Sequence, residues 1–112
     1  MNSYILGKGS TVSIGKPAEY PADMVKALTA YFEKNDSVNG ASLAWKVQNN
    51  EAGYLLVIDS EEKPQVLMPP IGEICQSYLG EYPLDITYKS TGLGEYVFSE
   101  IEPFYVCEKS NQ

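Results

Sequence analysis

Hydrophobic and polar residues alternate in "TVSIG" near the start of the chain, and "SYILG" precedes it as a second short extended stretch. Alternation with a period of two is typical of β-strands that bury one face. Gly7 and Gly9 lie between the two stretches, where a tight turn would join them. The pattern therefore predicts a β-hairpin over residues 3 to 15.

A helical period begins after two prolines, Pro17 and Pro21, interrupt the strand pattern. Pro21 is acceptable in a first helical turn, because the amide that it lacks would have no partner there. Apolar residues then recur three and four positions apart, which places them on one helical face. We expect a helix from about Pro21 to Asn35 that turns this face to the core. The face consists of Met24, Val25, Leu28, Tyr31 and Phe32.

Two longer strands follow, "ASLAWKVQ" and "YLLVID", joined by the turn sequence "NNEAG". The first alternates, which predicts one core face and one outward face. Its predicted core residues are Ala41, Leu43, Trp45 and Val47. Ser42, Ala44 and Lys46 are predicted to point away from the core. The second stretch is apolar at nearly every position, as in a central strand covered on both faces.

The second half of the chain predicts two more helices and two more strands. Pro70 can start a helix whose apolar face contains Ile71 and Cys75, with Gly80 as its C-terminal cap. "LDITYK" alternates cleanly and predicts a strand, and "LGEYVFSEI" predicts a short helix. "PFYVCEK" predicts a last strand.

The predicted order is β-β-α-β-β-α-β-α-β, without a regular β-α-β rhythm. This order indicates the α+β class, with a mainly antiparallel sheet and two or three helices packed on it. A length of 112 residues suits one domain. We expect that domain over residues 1–109 and a frayed tail over residues 110–112.

The charge balance excludes several kinds of function. Eight Lys plus Arg stand against 15 Asp plus Glu, for a net charge of -7, and all eight basic residues are Lys. Without Arg or His, the chain lacks the bidentate phosphate clamp and the commonest general base and metal ligand. We expect no nucleic-acid binding, because the acidic chain would be repelled by phosphates. We also expect no cofactor and no metal site.

The two cysteines, Cys75 and Cys107, are far apart and form no C-x-x-C motif. We expect both to be buried, reduced thiols, as free cysteines usually are. No apolar run approaches the roughly 20 residues that a membrane-spanning helix needs. The first residues do not resemble a signal peptide either, so we expect a cytoplasmic protein that makes no contact with a membrane.

The stretch "ILGKGSTVSIGKP" contains two Gly-Lys pairs and raises the question of a phosphate-binding loop. A Walker A loop needs Ser or Thr directly after its Lys. Here Gly9 follows Lys8, and Pro17 follows Lys16. The stretch therefore predicts turn and strand-ending glycines and no phosphate site.

A longer pattern spans the segment "VSIGKPAEYPADMVKALTAYFEKNDSVNGASLAW". In it an "IGxPAEYP" stretch leads into an amphipathic helix, and "V-x-x-A" then enters a strand. "GYLLVID" and the closing "PFY" follow in matching order and spacing. From about Tyr4 to Val106, the chain resembles the C-terminal domain of SseB, the enhanced serine sensitivity protein.

The resemblance implies little about chemistry, since the family is named after a phenotype and brings no catalytic residues with it. Family proteins often join this domain to an SseB N-terminal domain, so the chain is either a fragment of a two-domain protein or a stand-alone version. Together with the missing His and Arg, the resemblance favours a non-enzymatic protein-interaction or regulatory module of the bacterial cytoplasm.

Two proline-containing stretches, "KPAEYP" and "EPFY", supply the candidate residues for binding a protein partner. The candidates are Glu19, Tyr20, Phe104 and Tyr105. One interpretation is an exposed aromatic patch for that partner. The other is purely structural, with rigid turns at element boundaries and the aromatic rings packed nearby. Both interpretations stay open at this point.

Other functions also remain open. The chain could be a small-ligand sensor for an amino-acid-related compound, or an immunity-type protein whose acidic surface neutralises a basic toxin. An enzyme would have to use groups such as Asp59, Glu73 or Cys107, which share no spacing that predicts one site. Nine Tyr residues leave a homodimer open as well.

Overall fold

The computed structural model describes residues 2–5 and 11–107 of the chain. The elements are β1 (Asn2–Ile5), β2 (Thr11–Gly15), α1 (Ala22–Glu33), β3 (Val38–Gln48), β4 (Glu51–Ser60), α2 (Pro64–Cys75), β5 (Leu84–Tyr88), α3 (Gly92–Glu100) and β6 (Tyr105–Val106). The predicted α+β class and element order are confirmed. The predicted turn at Gly7 and Gly9 and the predicted tail lie outside the described residues.

The strands form a single sheet in the order β1-β2-β3-β4-β5, and β6 pairs with β3. All pairs are antiparallel except β4 and β5, which run parallel. Parallel neighbours need a long crossover connection, and the segment that contains α2 provides it. The sheet is therefore mainly antiparallel, as predicted, but its β5 edge is not part of a hairpin.

Helices cover both faces of the sheet. α1 and α2 pack on one face, and the predicted apolar side of α1 is buried there at Met24, Leu28 and Phe32. Burying a side chain of this size contributes about 1.5–3 kcal/mol to folding. α3 packs on the opposite face through Val97. The result is a three-layer arrangement with the sheet in the middle.

The outward face predicted for β3 is wrong in the middle of the strand. Ser42 and Ala44 are fully buried, because α3 and Ile101 cover this face. The Ser42 hydroxyl donates a hydrogen bond to the Ile101 carbonyl oxygen at 3.1 Å. A buried hydroxyl without a partner would be unfavourable, and this bond supplies one.

The predicted start and end of the second helix are also wrong. α2 begins at Pro64 and contains Pro69 and Pro70 in its interior. Because proline has no N–H, these residues leave carbonyl groups in the exposed first turn of α2 without a hydrogen-bond donor from the helix. Water can donate to these carbonyl groups there. The helix ends at Cys75, so Gly80, with its positive φ of 61°, belongs to the loop beyond it.

α3 approaches the end of β5 very closely at Gly94. A Cβ atom at this position would overlap the carbonyl oxygen of Tyr88. The Thr91 hydroxyl caps the helix by accepting a hydrogen bond from the Gly94 amide at 2.9 Å. Any side chain at Gly94 would therefore force α3 away from the sheet that it covers.

We predict that Gly94→Ala destabilises the fold by at least about 2 kcal/mol, because the added methyl group overlaps backbone atoms. Gly72→Ala is the matched control, since a Cβ at Gly72 in α2 meets no atom within 4 Å. The control should be neutral or slightly stabilising, by about 1 kcal/mol or less. Urea unfolding of both variants measures the difference, and equal midpoints would contradict the close approach.

Candidate functional site

β2 and β6 pair with the same edge of β3 and leave a gap between them. β2 reaches as far as Trp45, opposite Gly15, whereas β6 begins at Tyr105, opposite Ala41. Leu43 lies midway and is paired with neither of these strands. At a rise of 3.3 Å per residue, the span from Trp45 to Ala41 is about 13 Å.

The backbone amide and carbonyl of Leu43 point into this gap. Two residues on the same strand, Asn39 and Ala41, accept hydrogen bonds on this edge from the amides of Cys107 at 2.8 Å and Phe104 at 2.9 Å. Backbone polar groups alternate in direction along a strand, so residues two positions apart face the same edge. Leu43 therefore presents one donor and one acceptor to the gap.

Proline prevents either flanking strand from closing the gap. The register of β2 places Gly15 opposite Trp45, and continuing it would place Pro17 opposite Leu43. The register of β6, continued backwards, would place Pro103 opposite Leu43 as well. Proline has no N–H to donate, so neither residue could extend the ladder at this position.

The gap opens into a cleft of about 420 Å³. The connection after β2 forms one wall, and the segment between α3 and β6 forms the other. The first wall carries Lys16, Pro17 and Tyr20, and the second carries Glu102, Pro103 and Phe104. The structure thus brings two of the predicted partner-binding residues, Tyr20 and Phe104, to one cleft.

Two further cavities adjoin the cleft along the connection between β2 and α1. One, of about 280 Å³, shares Pro17 with the cleft and is also lined by Glu19. The other, of about 320 Å³, shares Tyr20 and is also lined by Asp23 and Tyr78. We call the three cavities together the Lys16–Asp23 groove.

An aromatic cluster forms the floor of the cavity beside Glu19. Trp45 meets Tyr54 and Tyr82 edge to face, with ring centroids 5.1 and 4.9 Å apart. Burial raises the pKa of the Tyr54 phenol, and the Glu19 carboxylate and Tyr82 add to the rise. These contacts fix a rigid apolar surface beside the exposed Glu19 carboxylate.

Exposed aromatic side chains gather around the groove. Tyr20, Tyr78 and Tyr82 are 54%, 44% and 47% exposed, and each of them lines one or two of the three cavities. The remaining large exposed apolar residues among the described side chains, Val66 and Val106, line none of the three. Exposed aromatic surface is therefore concentrated at the groove.

The remaining predicted residue, Tyr105, lies outside the three cavities and anchors β6 to α1. Its ring lies 5.6 Å from that of Phe32, and its hydroxyl donates to the Phe32 carbonyl oxygen at 3.1 Å. Phe104 stacks on the same ring at 6.2 Å. Burial raises the pKa of Tyr105 to about 12, and a hydrogen bond with Cys107 adds to the rise.

The comparisons with known proteins agree with the sequence resemblance. The family model described as the SseB protein C-terminal domain matches residues 6–106. The chain belongs to this family. No curated protein and no solved structure matched the chain. The predicted family is thus confirmed. The comparisons indicate no activity for this SseB C-terminal domain.

Sequence reasoning missed the gap at Leu43 and the aromatic cluster of Trp45, Tyr54 and Tyr82. The cluster joins residues that are distant in the sequence, so no local pattern of hydrophobic and polar positions indicates it. The gap had a signal in the two prolines, Pro17 and Pro103, each near the end of a predicted strand. Reading it required knowing that both strands pair with the same edge of β3.

Acidic side chains and cysteines are the groups of this chain that would be needed to hold a metal ion. Among residues 11–107, no group of three or more His, Cys, Asp or Glu side chains could hold a metal ion. Both cysteines are buried thiols that form no disulfide, as predicted, and burial raises the pKa of Cys75 to about 11, which disfavours its thiolate. The potential enzymatic groups Asp59, Glu73 and Cys107 line none of the three cavities.

The helices of the described ranges are short. α1 and α2 have 12 residues each. Within the part of the chain that the structure describes, no helix has the length and apolar character needed to cross a membrane.

We predict that the Leu43 amide exchanges with solvent deuterium at least about tenfold faster than those of Ser42 and Ala44. The amides of Ser42 and Ala44 point toward β4 and are hydrogen-bonded in the sheet, whereas the amide of Leu43 points into the gap. An amide without such a bond exchanges faster. Residue-resolved exchange measured by nuclear magnetic resonance (NMR) tests this. Equal protection of all three amides would show that the edge is closed at Leu43.

We also predict a loss of stability in alkali that depends on Tyr105. The ordinary pKa of the phenol is 10.0 and the folded value is about 12, so the folded state binds this proton more tightly. Its contribution to stability is full below pH 10 and is lost as the pH rises toward 12. Denaturant unfolding across this range should show the decline.

The Tyr105→Phe variant should show a smaller decline with pH, although burial of other tyrosines such as Tyr88 leaves part of it. The variant also loses the hydrogen bond to Phe32, so its stability should be lower near neutral pH by about 1 kcal/mol. A pH dependence identical to that of the unmodified protein would contradict the role assigned to Tyr105.

Proposed function

We propose that this protein is a non-enzymatic interaction module, regulatory or adaptor-like, of the bacterial cytoplasm. It binds a protein partner through the Lys16–Asp23 groove. The observation that supports this proposal is the concentration of exposed tyrosines, Tyr20, Tyr78 and Tyr82, around three adjoining cavities.

Tyrosine is well suited to such a surface. A tyrosine buries a large area, loses little conformational freedom, and keeps a hydroxyl for hydrogen bonding, which is why interfaces are enriched in it. Tyr82 is held edge to face against Trp45, at 4.9 Å between ring centroids, so it is positioned before a partner arrives. Preorganised side chains of this kind lower the entropy lost on binding.

The non-enzymatic part of the proposal rests on the side chains available to the groove. The polar groups among them are carboxylates, phenols, the indole of Trp45 and one amine from Lys16, and the whole chain contains no His and no Arg. A general base near neutral pH would need a carboxylate or amine with a strongly shifted pKa. The net charge of -7 likewise supports a protein partner over a nucleic acid.

A small-ligand sensor is the second candidate, and the volume of the cleft favours it. About 420 Å³ falls within the range of small-molecule pockets. Lys16 and Glu102 on opposite walls could bind a ligand that carries both charges. A thermal-shift screen of amino-acid-related metabolites tests this candidate, because a ligand that binds only the folded state raises the melting temperature.

We predict that tagged protein recovered from its native cytoplasm carries a stoichiometric protein partner, and that Tyr20→Ser greatly reduces its recovery. Val66→Ser is the matched control, since Val66 is 50% exposed, close to the 54% of Tyr20, but lies on α2 outside the groove. The loss at Tyr20 should be at least about tenfold, as for removal of an interface hot spot. Mass spectrometry of the recovered proteins at low and high salt measures it.

Two results would contradict this proposal. One is recovery of the protein alone at both salt concentrations, which would favour the ligand-sensor candidate instead. The other is a partner that Tyr20→Ser and Val66→Ser retain equally, since binding would then not use the groove.

A further inference from the structure

We propose that the Lys16–Asp23 groove binds an extended, basic segment of its protein partner. The segment's backbone pairs with Leu43 in the gap between β2 and β6. This inference rests on the proposed interaction function and specifies the part of the partner that is bound.

The extended conformation follows from the open edge of β3. A strand edge with a free amide and carbonyl is a template for another strand. Both strands that flank the gap, β2 and β6, run antiparallel to β3. A segment in line with them would also run antiparallel, and its own N–H and C=O would meet the carbonyl and amide of Leu43.

The length of the gap limits what can enter. About 13 Å separates Trp45 from Ala41 along β3, which leaves room for about three extended residues. Pro17 and Pro103 keep the protein's own chain from filling this place, because neither can donate to the Leu43 carbonyl. A partner residue other than proline supplies the missing donor.

The basic character follows from the charges around the groove. Three acidic residues, Glu19, Asp23 and Glu102, line its cavities, against one basic residue, Lys16. All four side chains belong to exposed residues. Lysine or arginine residues of the segment would therefore find a carboxylate on one wall of the cleft, at Glu102, and further carboxylates in the two adjoining cavities, at Glu19 and Asp23.

Tyr20 adds a second reason to expect a cation. Tyr20 is 54% exposed and lines the cleft beside the gap. The face of an aromatic ring attracts lysine and arginine side chains. The surface carboxylates are screened by salt, so binding of the segment should weaken as the ionic strength rises.

The probes for the test are two peptides of seven residues that differ only in charge. The basic peptide is acetyl-Gly-Lys-Val-Lys-Val-Lys-Gly-amide, and the acidic one has Glu in place of each Lys. Each is titrated into the isotopically labelled full chain at low salt and followed by NMR. We expect the basic peptide alone to shift the Leu43 amide resonance and to slow its exchange with deuterium by about tenfold or more.

A third peptide separates backbone pairing from simple charge attraction. It is the basic peptide with backbone N-methyl groups on both valines and all three lysines, which keeps every charge and removes the backbone donor whichever residue lies opposite Leu43. We expect it to bind at least about tenfold more weakly, a difference of about 1.4 kcal/mol. Equal binding of the methylated peptide would overturn the proposed pairing with Leu43.

Charge reversal on the protein tests the role of the acidic rim, by which we mean Glu19, Asp23 and Glu102 around the groove. Glu102→Lys should weaken binding of the basic peptide by about tenfold, because the substitution removes an attractive charge and adds a repulsive one. Glu73→Lys is the matched control, since it makes the same change on exposed α2 outside the groove. Equal effects of the two variants on binding of the basic peptide would overturn the role of the acidic rim. The same conclusion would follow if the acidic peptide bound as tightly as the basic one, or if no peptide bound.

The failure of this inference can be told apart from failure of the proposed function. If Tyr20→Ser loses the cellular partner but Glu102→Lys keeps it, and the partner leaves Leu43 exchange unchanged, the groove is an interface without an extended basic segment. If Tyr20→Ser keeps the partner, the interaction function of the groove itself is wrong.

Discussion

Hydrogen bonding along β3 is the interaction on which the rest of the structure depends. One edge of this strand, Val38–Gln48, is paired with β4 along most of its length, and the other is divided between β2 and β6. Its two faces are also covered, by α1 and α2 on one side and by α3 on the other. Backbone polar groups in a buried strand need hydrogen-bond partners. The way in which β2 and β6 divide this edge of β3 therefore decides where its backbone groups face a cleft and not another strand.

The opening at Leu43 is a consequence of that division. Proline ends the pairing on both sides, and the chain leaves the sheet plane through two short connections that become the walls of the cleft. Two hydrogen bonds hold the second wall, which carries Glu102, Pro103 and Phe104, in place at its two ends. Ser42 donates to the carbonyl of Ile101 at 3.1 Å, and Tyr105 donates to that of Phe32 at 3.1 Å. This wall is thus anchored to β3 and α1, which favours a preformed binding surface on its side of the cleft.

The chemistry of the surface points in one direction. Tyrosines are exposed around the groove, whereas both cysteines are buried and the sequence contains no His. Membership of the SseB C-terminal domain family names no reaction either. An apolar aromatic surface with an acidic rim is suited to holding a partner of opposite charge, and the open edge of β3 adds a backbone donor and acceptor to it.

The sequence by itself determined the order of helices and strands, the family, the buried side of α1 and the acidic, Arg-free character of the chain. These are local or additive properties, since the spacing of Met24, Leu28 and Phe32 reports one helical face whatever lies against it. Only the tertiary structure decided that α3 buries Ser42 and that β5 runs parallel to β4. It also decided that β2 and β6 pair with the same edge of β3, in registers whose continuation would bring both Pro17 and Pro103 opposite Leu43. Each of these facts depends on residues far apart in the chain that meet only in the sheet, and short-range periodicity carries no record of that pairing.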